Sequence, residues 1–300
     1  MSNTIETSAY ELQPEDEVSK LNTTFKNVII WVIIPLICAL LIWQFPHLST
    51  LLKGISWSDF LLFAFVGFCA QLIDGAIGMA YGISSTTFLM SVGVSPVMAS
   101  ASVHIAEIFT TGISGISHLK FGNVEKSLFK KLVIPGSIGA VVGAVVLSSI
   151  GAAIKPFIAL YLLVMGLVIL RKALRPNNEY KETRHVSVLA LFGGFVDAVG
   201  GGGWGPVVAS TLIGNGHNPR LTIGSVNAAE FFVAVAGASV FSLMIQFNTW
   251  LMIAGLLVGG VFAAPLAAYL CKKIPHKHLM LLVGIVVCIL SLRTLFKAFF

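Results

Sequence analysis

Apolar residues run along this chain in long unbroken blocks, not in the alternation of a half-buried strand. The blocks fall at about 28–45, 60–93, 97–119, 132–150, 156–174, 187–214, 219–245, 249–271 and 279–297, parted by short polar and basic segments. Roughly 20 consecutive apolar residues are enough for a helix to cross the ~30 Å hydrocarbon core of a bilayer. A transmembrane barrel would alternate polar and apolar residues along each strand, which these continuous runs do not. The pattern predicts an all-α polytopic membrane protein.

Two blocks, 60–93 and 187–214, are longer than one crossing needs and are interrupted by Asp-Gly-rich sequence. They head two copies of a repeat. Shifted by 123 residues, Asp74-Gly-Ala-Ile-Gly-Met-Ala-Tyr-Gly82 falls on Asp197-Ala-Val-Gly-Gly-Gly-Gly-Trp-Gly205. In the same register Gly93 meets Gly216, Pro96 meets Pro219, and Ser102-Val-His-Ile-Ala-Glu107 meets Ser225-Val-Asn-Ala-Ala-Glu230. Apolar coincidences mean nothing in so hydrophobic a chain, but Asp, Glu, Pro and Gly recurring at one offset mark a duplication. The expected organisation is a first membrane repeat over 58–176 and a second over 177–300. Each is a broken segment plus three simple transmembrane helices. An acidic, disordered tail (1–25) and one extra helix with its loop (26–57) precede them.

How the broken segment threads decides the topology. If it dips in and returns, each copy makes three crossings and the copies are inverted; if it crosses once, they are parallel. The re-entrant arrangement leaves only Lys53, Lys155, Arg293 and Lys297 of the 19 Lys and Arg outside the cytoplasmic face. A single-crossing arrangement gives a less lopsided split. The preference of Lys and Arg for cytoplasmic loops therefore favours two inverted repeats with a cytoplasmic N-terminus.

Composition agrees and narrows the function. Hydrophobic residues make up 56% and charged residues 11%, with a mean hydropathy of +0.91, against about 25% charged in soluble chains. The net charge of +6 sits in short inter-span clusters, the mark of cytoplasmic loops and not of a nucleic-acid surface. Cys38, Cys69, Cys271 and Cys288 are scattered through apolar segments and read as small buried hydrophobes, with no redox or metal pattern. The tail carries Glu6, Glu11, Glu15, Asp16 and Glu17 where a secretory signal would be basic, so 28–45 reads as a retained helix.

Four acidic residues lie deep in apolar sequence: Asp74, Glu107, Asp197 and Glu230, two repeat-related pairs. An intramembrane carboxylate is costly and marks a pathway, a proton relay or a partner. Asp74 and Asp197 precede glycine-rich breaks and also suit a purely structural role, accepting hydrogen bonds from the next half-helix. Glu107 and Glu230 sit mid-span with no nearby basic residue, which favours proton coupling; hydrocarbon disfavours their charged form. His104 shares a helix face with Glu107 and can shuttle protons or simply bond its neighbour. Gly75 and Gly78, and Gly201, Gly202 and Gly203, allow unwound backbone whose amides face a cavity, the usual construction of a site in inverted-repeat transporters. Tyr81, Trp204, Ser102, Ser225 and Asn227 are the polar and aromatic neighbours that complete the candidate substrate site. Gly139, Gly143, Gly255 and Gly259 read instead as close helix packing. His118, His217, His276 and His278 fall near span ends and read as interface or loop residues. No Ser-His-Asp set, P-loop or metal triad is legible, so neither an enzyme nor a cofactor is expected.

At these residues the sequence resembles the TauE/SafE family, the sulfite and sulfonate exporter and permease group. The likeness is carried by Gln71-Leu-Ile-Asp74-Gly-Ala-Ile-Gly78, Pro96 through Glu107, Gly193 through Pro206 and Gly224 through Glu230, and it covers roughly 58–298. It implies a secondary carrier of a small anion (sulfite, a sulfonate or a related organic anion) in the cell inner membrane. The first motif is poorer in glycine than the second, so unequal half-sites are expected. Protons are the expected coupling ion and the lipid bilayer the obligatory environment, with a homo-oligomer left open. A Na⁺ or divalent-cation carrier, using the same carboxylates as ligands, is the competing reading; a membrane scaffold would need no duplicated carboxylates.

Overall fold

The computed structural model describes residues 56–79, 81–174, 183, 185–246, 250–270 and 276–299. The acidic tail and the extra N-terminal helix expected over 28–45 lie outside the described residues. Every regular element among those described is helical. The first broken segment forms α1 (Trp57–Ile77) and α2 (Tyr81–Ser91), followed by α3 (Pro96–Lys120), α4 (Lys126–Ile150), a 3₁₀ turn and α5 (Lys155–Leu174). The second forms α6 (Val186–Gly200) and α7 (Gly205–Gly214), whose first five residues are wound as a π-helix. α8 (Pro219–Met244), α9 (Trp250–Leu270) and α10 (His276–Phe299) complete it. α4 starts six residues before the apolar block, because the basic turn carrying Lys126, Lys130 and Lys131 is helical too.

The two copies use the same local devices. α1 and α6 each end on a left-handed glycine, Gly78 (φ 70°) and Gly201 (φ 64°), whose amide donates to the carbonyl of Asp74 or Asp197. A side chain at either position would be strained, so these glycines set the breaks. α3 and α8 each open on a capping side chain followed by proline, Ser95-Pro96 and Asn218-Pro219.

Each broken segment doubles back on itself. Phe88 of α2 stacks edge-on against Phe63 of α1, with ring centroids 6.2 Å apart. In the second copy Asn215, just past α7, donates to Thr183, ahead of α6, at 3.0 Å. Equivalent long helices run antiparallel to each other. Along the α3–α8 crossing His104 lies against Gly237, Gly112 against Phe231 and Ser114 against Asn227. Along α5 and α10, Leu163 meets Cys288 and Leu170 meets Gly284. α1 packs along α9, and α6 along α4. There Gly255 and Gly259 lie against the backbone of Phe60 and Ala64, and Gly139 and Gly143 against that of Leu191 and Phe195. These four glycines serve close helix approach, as the sequence predicts.

Among the described residues six helices (α1, α4, α5, α8, α9 and α10) are long and apolar enough to cross a membrane. Their outer faces expose Ile134, Ile138, Phe157, Leu167, Phe262, Ile289 and Phe296, a surface suited to lipid and not to water. α3 is as long but more polar, and most of its polar residues are buried. Ser100, His104, Glu107, Thr111, Ser114 and His118, spaced four and three residues apart, all face the interior. The chain is a helical, multi-pass membrane protein with α3 and α8 at its centre.

Candidate functional site

The two glycine-rich breaks meet. Gly205, opening α7, lies against Met79 and the carbonyl of Gly78, while Gly202 lies against Gly82 and Ile83 at the start of α2. Thr86 on α2 donates to the carbonyl of Gly201, and the Tyr161 hydroxyl donates to that of Gly202 at 2.9 Å. The contact encloses a small cavity lined by Asp74, Met79, Gly82, Ile83, Asp197, Gly202, Gly203, Gly205, Pro206 and Glu230. At about 10 Å³ it has room for about one water molecule, so a larger ligand enters only as the two breaks part.

Both aspartates cap the half-helix that follows. Oδ1 of Asp197 accepts from the amides of Gly203 (2.8 Å) and Trp204 (3.0 Å). Oδ1 of Asp74 accepts from the amide of Tyr81 at 3.3 Å. The structural role that the sequence left open for them is thus present. Asp197 has a further neighbour: its Oδ2 is 3.3 Å from Nε2 of His104. Glu107 stands on the same face of α3, against Gly82, and neither of its carboxylate oxygens has a hydrogen-bond partner. His104, Glu107 and Asp197 each bring a ligand-capable atom within 4.8 Å of the others. The four carboxylates act on one another electrostatically: Glu107 senses Asp197 and Asp74, and Glu230 senses all three. Bare charge at this depth is expensive, so protons or cations have to accompany it.

The remaining candidates fall outside the cavity lining. Tyr81 and Trp204 are fully buried, but their polar tips donate to the backbone of Leu256 (3.1 Å) and Val226 (3.1 Å), so both brace neighbouring helices. Asn227 accepts from Ser114 and donates to the Ile223 carbonyl. Ser225 accepts from the amide of Glu125 at 2.7 Å, tying α8 to the turn before α4. Ser102 is buried on α3. Gly75 packs against Ala267 and offers its carbonyl to His118 at 3.3 Å.

His118 is the residue that sequence reasoning misplaced. It is fully buried and not a loop residue. Its Nδ1 accepts from Asn123 at 3.0 Å, leaving Nε2 to donate to Gly75. Asn123 in turn accepts from Arg220, which also donates to the Phe121 carbonyl at 2.6 Å. The four-and-three spacing that joins His118 to Glu107 was the signal that could have found it. Thr86, Ser100 and Tyr161, which hold the carbonyls of Gly201, Ala198 and Gly202, carry no signal beyond their polarity.

Comparison with known proteins agrees with this architecture. Residues 63–294 match the family described as Sulfite exporter TauE/SafE. The chain is also 44% identical over 246 residues, covering 78% of this chain and 82% of the relative, to the "Probable membrane transporter protein YtnM" of Bacillus subtilis (strain 168). No solved structure matches. A match spanning most of the chain and both halves of the cavity makes the protein a member of the TauE/SafE family of membrane transporters.

Proposed function

We propose that the protein is a secondary transporter of a small anion (sulfite, a sulfonate or a related organic anion) across the cytoplasmic membrane, coupled to protons through Glu107, Glu230 and His104. The observation that carries this reading is the small cavity where the two breaks abut, with the glycine backbone that opens α7 on one wall and three carboxylates around it. Helix N-termini and exposed amides receive anions. The antiparallel pairing of α3 with α8 and α5 with α10 supports an inverted repeat, the frame in which two hairpins can open alternately to either side. Lys120, Lys126, Lys130, Lys131, Arg171, Lys172, Arg220 and Lys277 gather at one end, against Lys155, Arg293 and Lys297 at the other. That asymmetry supports a cytoplasmic assignment for the first end.

An anion entering beside Asp74, Asp197 and Glu230 meets repulsion unless protons enter with it. Proton and anion therefore travel together, and the cycle approaches electroneutrality. Uptake into vesicles under imposed pH gradients tests this: an inward proton gradient accelerates uptake by the wild type, and Glu107→Gln or Glu230→Gln removes the acceleration. Transport indifferent to pH and to both substitutions would sink the reading. The cation alternative draws on the spacing of His104, Glu107 and Asp197. It is disfavoured because Asp197 already spends Oδ1 on amides. Stabilisation by Na⁺ or a divalent cation, with none by sulfonates, would reverse that preference.

A further inference from the structure

His104 is fully buried where α3 meets α6 and α8. Its Nδ1 lies 2.9 Å from the carbonyl oxygen of Ser100, one turn earlier. A carbonyl only accepts, so Nδ1 carries the hydrogen. The ring has little room to turn over, with Phe241 edge-on at 5.7 Å between centroids and Gly237 packed against its Cδ2 edge. A neutral ring would therefore leave Nε2 without a hydrogen 3.3 Å from Oδ2 of Asp197, off the axis of a hydrogen bond, so that neither buried atom has a partner. One added proton, with a small turn of the Asp197 carboxylate, would join them in a charge-assisted hydrogen bond.

The other oxygen of Asp197 holds the amides of Gly203 and Trp204, so the charge of Asp197 sits at the end of α7 where an incoming anion would arrive. Glu230, whose Oε2 has no hydrogen-bond partner, lines the cavity beside them.

We infer that one proton shared between His104 and Asp197 licenses the site: with it the pair is neutral and an anion is received at the mouth of α7, and without it the charge on Asp197 excludes the anion. The inference rests on the anion-carrier reading above and seats the proton that this reading gives to His104 between His104 and Asp197. The proton comes from water on the loading side and leaves with the substrate. The groups facing the pair are Glu107 on α3, Glu230 on α8, Asp74 on α1 and Tyr161 on α5, all acidic or phenolic. None supplies a fixed positive charge, which leaves the proton to do so. The device occurs once per chain, because the repeat places Asn227 where the first copy has His104, and its amide is spent on Ser114 and Ile223.

The test uses the full chain in lipid nanodiscs with methanesulfonate and isethionate, whose sulfonates stay ionised throughout the neutral pH range. Affinity is read from ligand-dependent thermal stabilisation. Wild-type affinity should fall about tenfold per pH unit on the alkaline side, the linkage of a single proton. In Asp197→Asn the amide Nδ2 can donate to Nε2 while Oδ1 keeps the cap, so sulfonate affinity should lose its pH dependence. In His104→Gln the proton has no seat, so affinity should be weak at every pH. A wild-type pH slope retained in either variant overturns the inference while the anion-carrier reading stands. Failure of the wild type to bind either sulfonate at any pH overturns both.

Discussion

Ser114 of α3 donates to Asn227 of α8 at 3.0 Å, and the other end of the same crossing sets His104 against Gly237. The repeat offset carries 104 to 227 and 114 to 237, so these are two versions of one contact. One has become a brace and the other holds a titratable ring. Asn227→Ala leaves the buried Ser114 hydroxyl unpaired and should destabilise the protein by about 1–3 kcal/mol. Sulfonate affinity should stay unchanged. Chemical denaturation and ligand titration on the same preparation check it; weakened binding at unchanged stability would return Asn227 to the substrate site.

Glu107 is buried with both carboxylate oxygens unpaired. Glu107→Gln keeps the shape and removes the charge, so the resting protein should hold or gain stability, by up to about 3 kcal/mol. Proton-driven uptake should fall by an order of magnitude or more. A melting temperature several degrees below wild type would show that the carboxylate has a structural duty.

Gly202 and Gly214 lie on the same hairpin and predict opposite outcomes. A Cβ on Gly202, at φ 148°, would strike the backbone of Gly82 and Ile83, whereas one on Gly214 meets nothing within 4 Å. Gly202→Ala should separate the two breaks, cost about 1–3 kcal/mol and abolish transport. Gly214→Ala, at the end of a helix, should be neutral or stabilising by up to about 1 kcal/mol. Equal transport by the two variants would mean that the breaks need not touch.

His217, in the turn between α7 and α8, is 3.2 Å from the Thr183 hydroxyl, and burial holds its pKa below the usual histidine value. A depressed pKa means that the unfolded chain takes up the proton first. The stability contribution is therefore full above about pH 6.5 and is lost as pH falls. Protection factors for hydrogen exchange at residues 211–217, which remove the intrinsic pH dependence of exchange, should fall on acidification, and His217→Gln should flatten that response.

Much of the frame was legible in the sequence. Among the described residues the long apolar blocks gave the helix ends to within six residues, and the paired Asp-Gly breaks gave the two hairpins. The central helix α3 was legible as the block 97–119, although Ser100, His104, Glu107 and His118, all buried, lower its hydropathy. What a side chain bonds to after folding was not legible. Tyr81 and Trp204 look like ligand-stacking aromatics by composition, yet their tips reach Leu256 and Val226. His118 lies near a helix end in sequence, yet the fold lays the first break across it. Such partners come from contacts more than 20 residues apart, which no local pattern encodes.

Proton movement accompanying a fully ionised sulfonate tests the central claim most directly. Full-length protein in liposomes, with a pH-sensitive dye inside and the membrane potential clamped, would be given an inward methanesulfonate gradient at equal pH. Acidification of the lumen in step with sulfonate entry, lost in the Glu107→Gln, Glu230→Gln double variant, is the predicted result. Sulfonate entry without acidification, or entry that requires Na⁺ or a divalent cation, would contradict it.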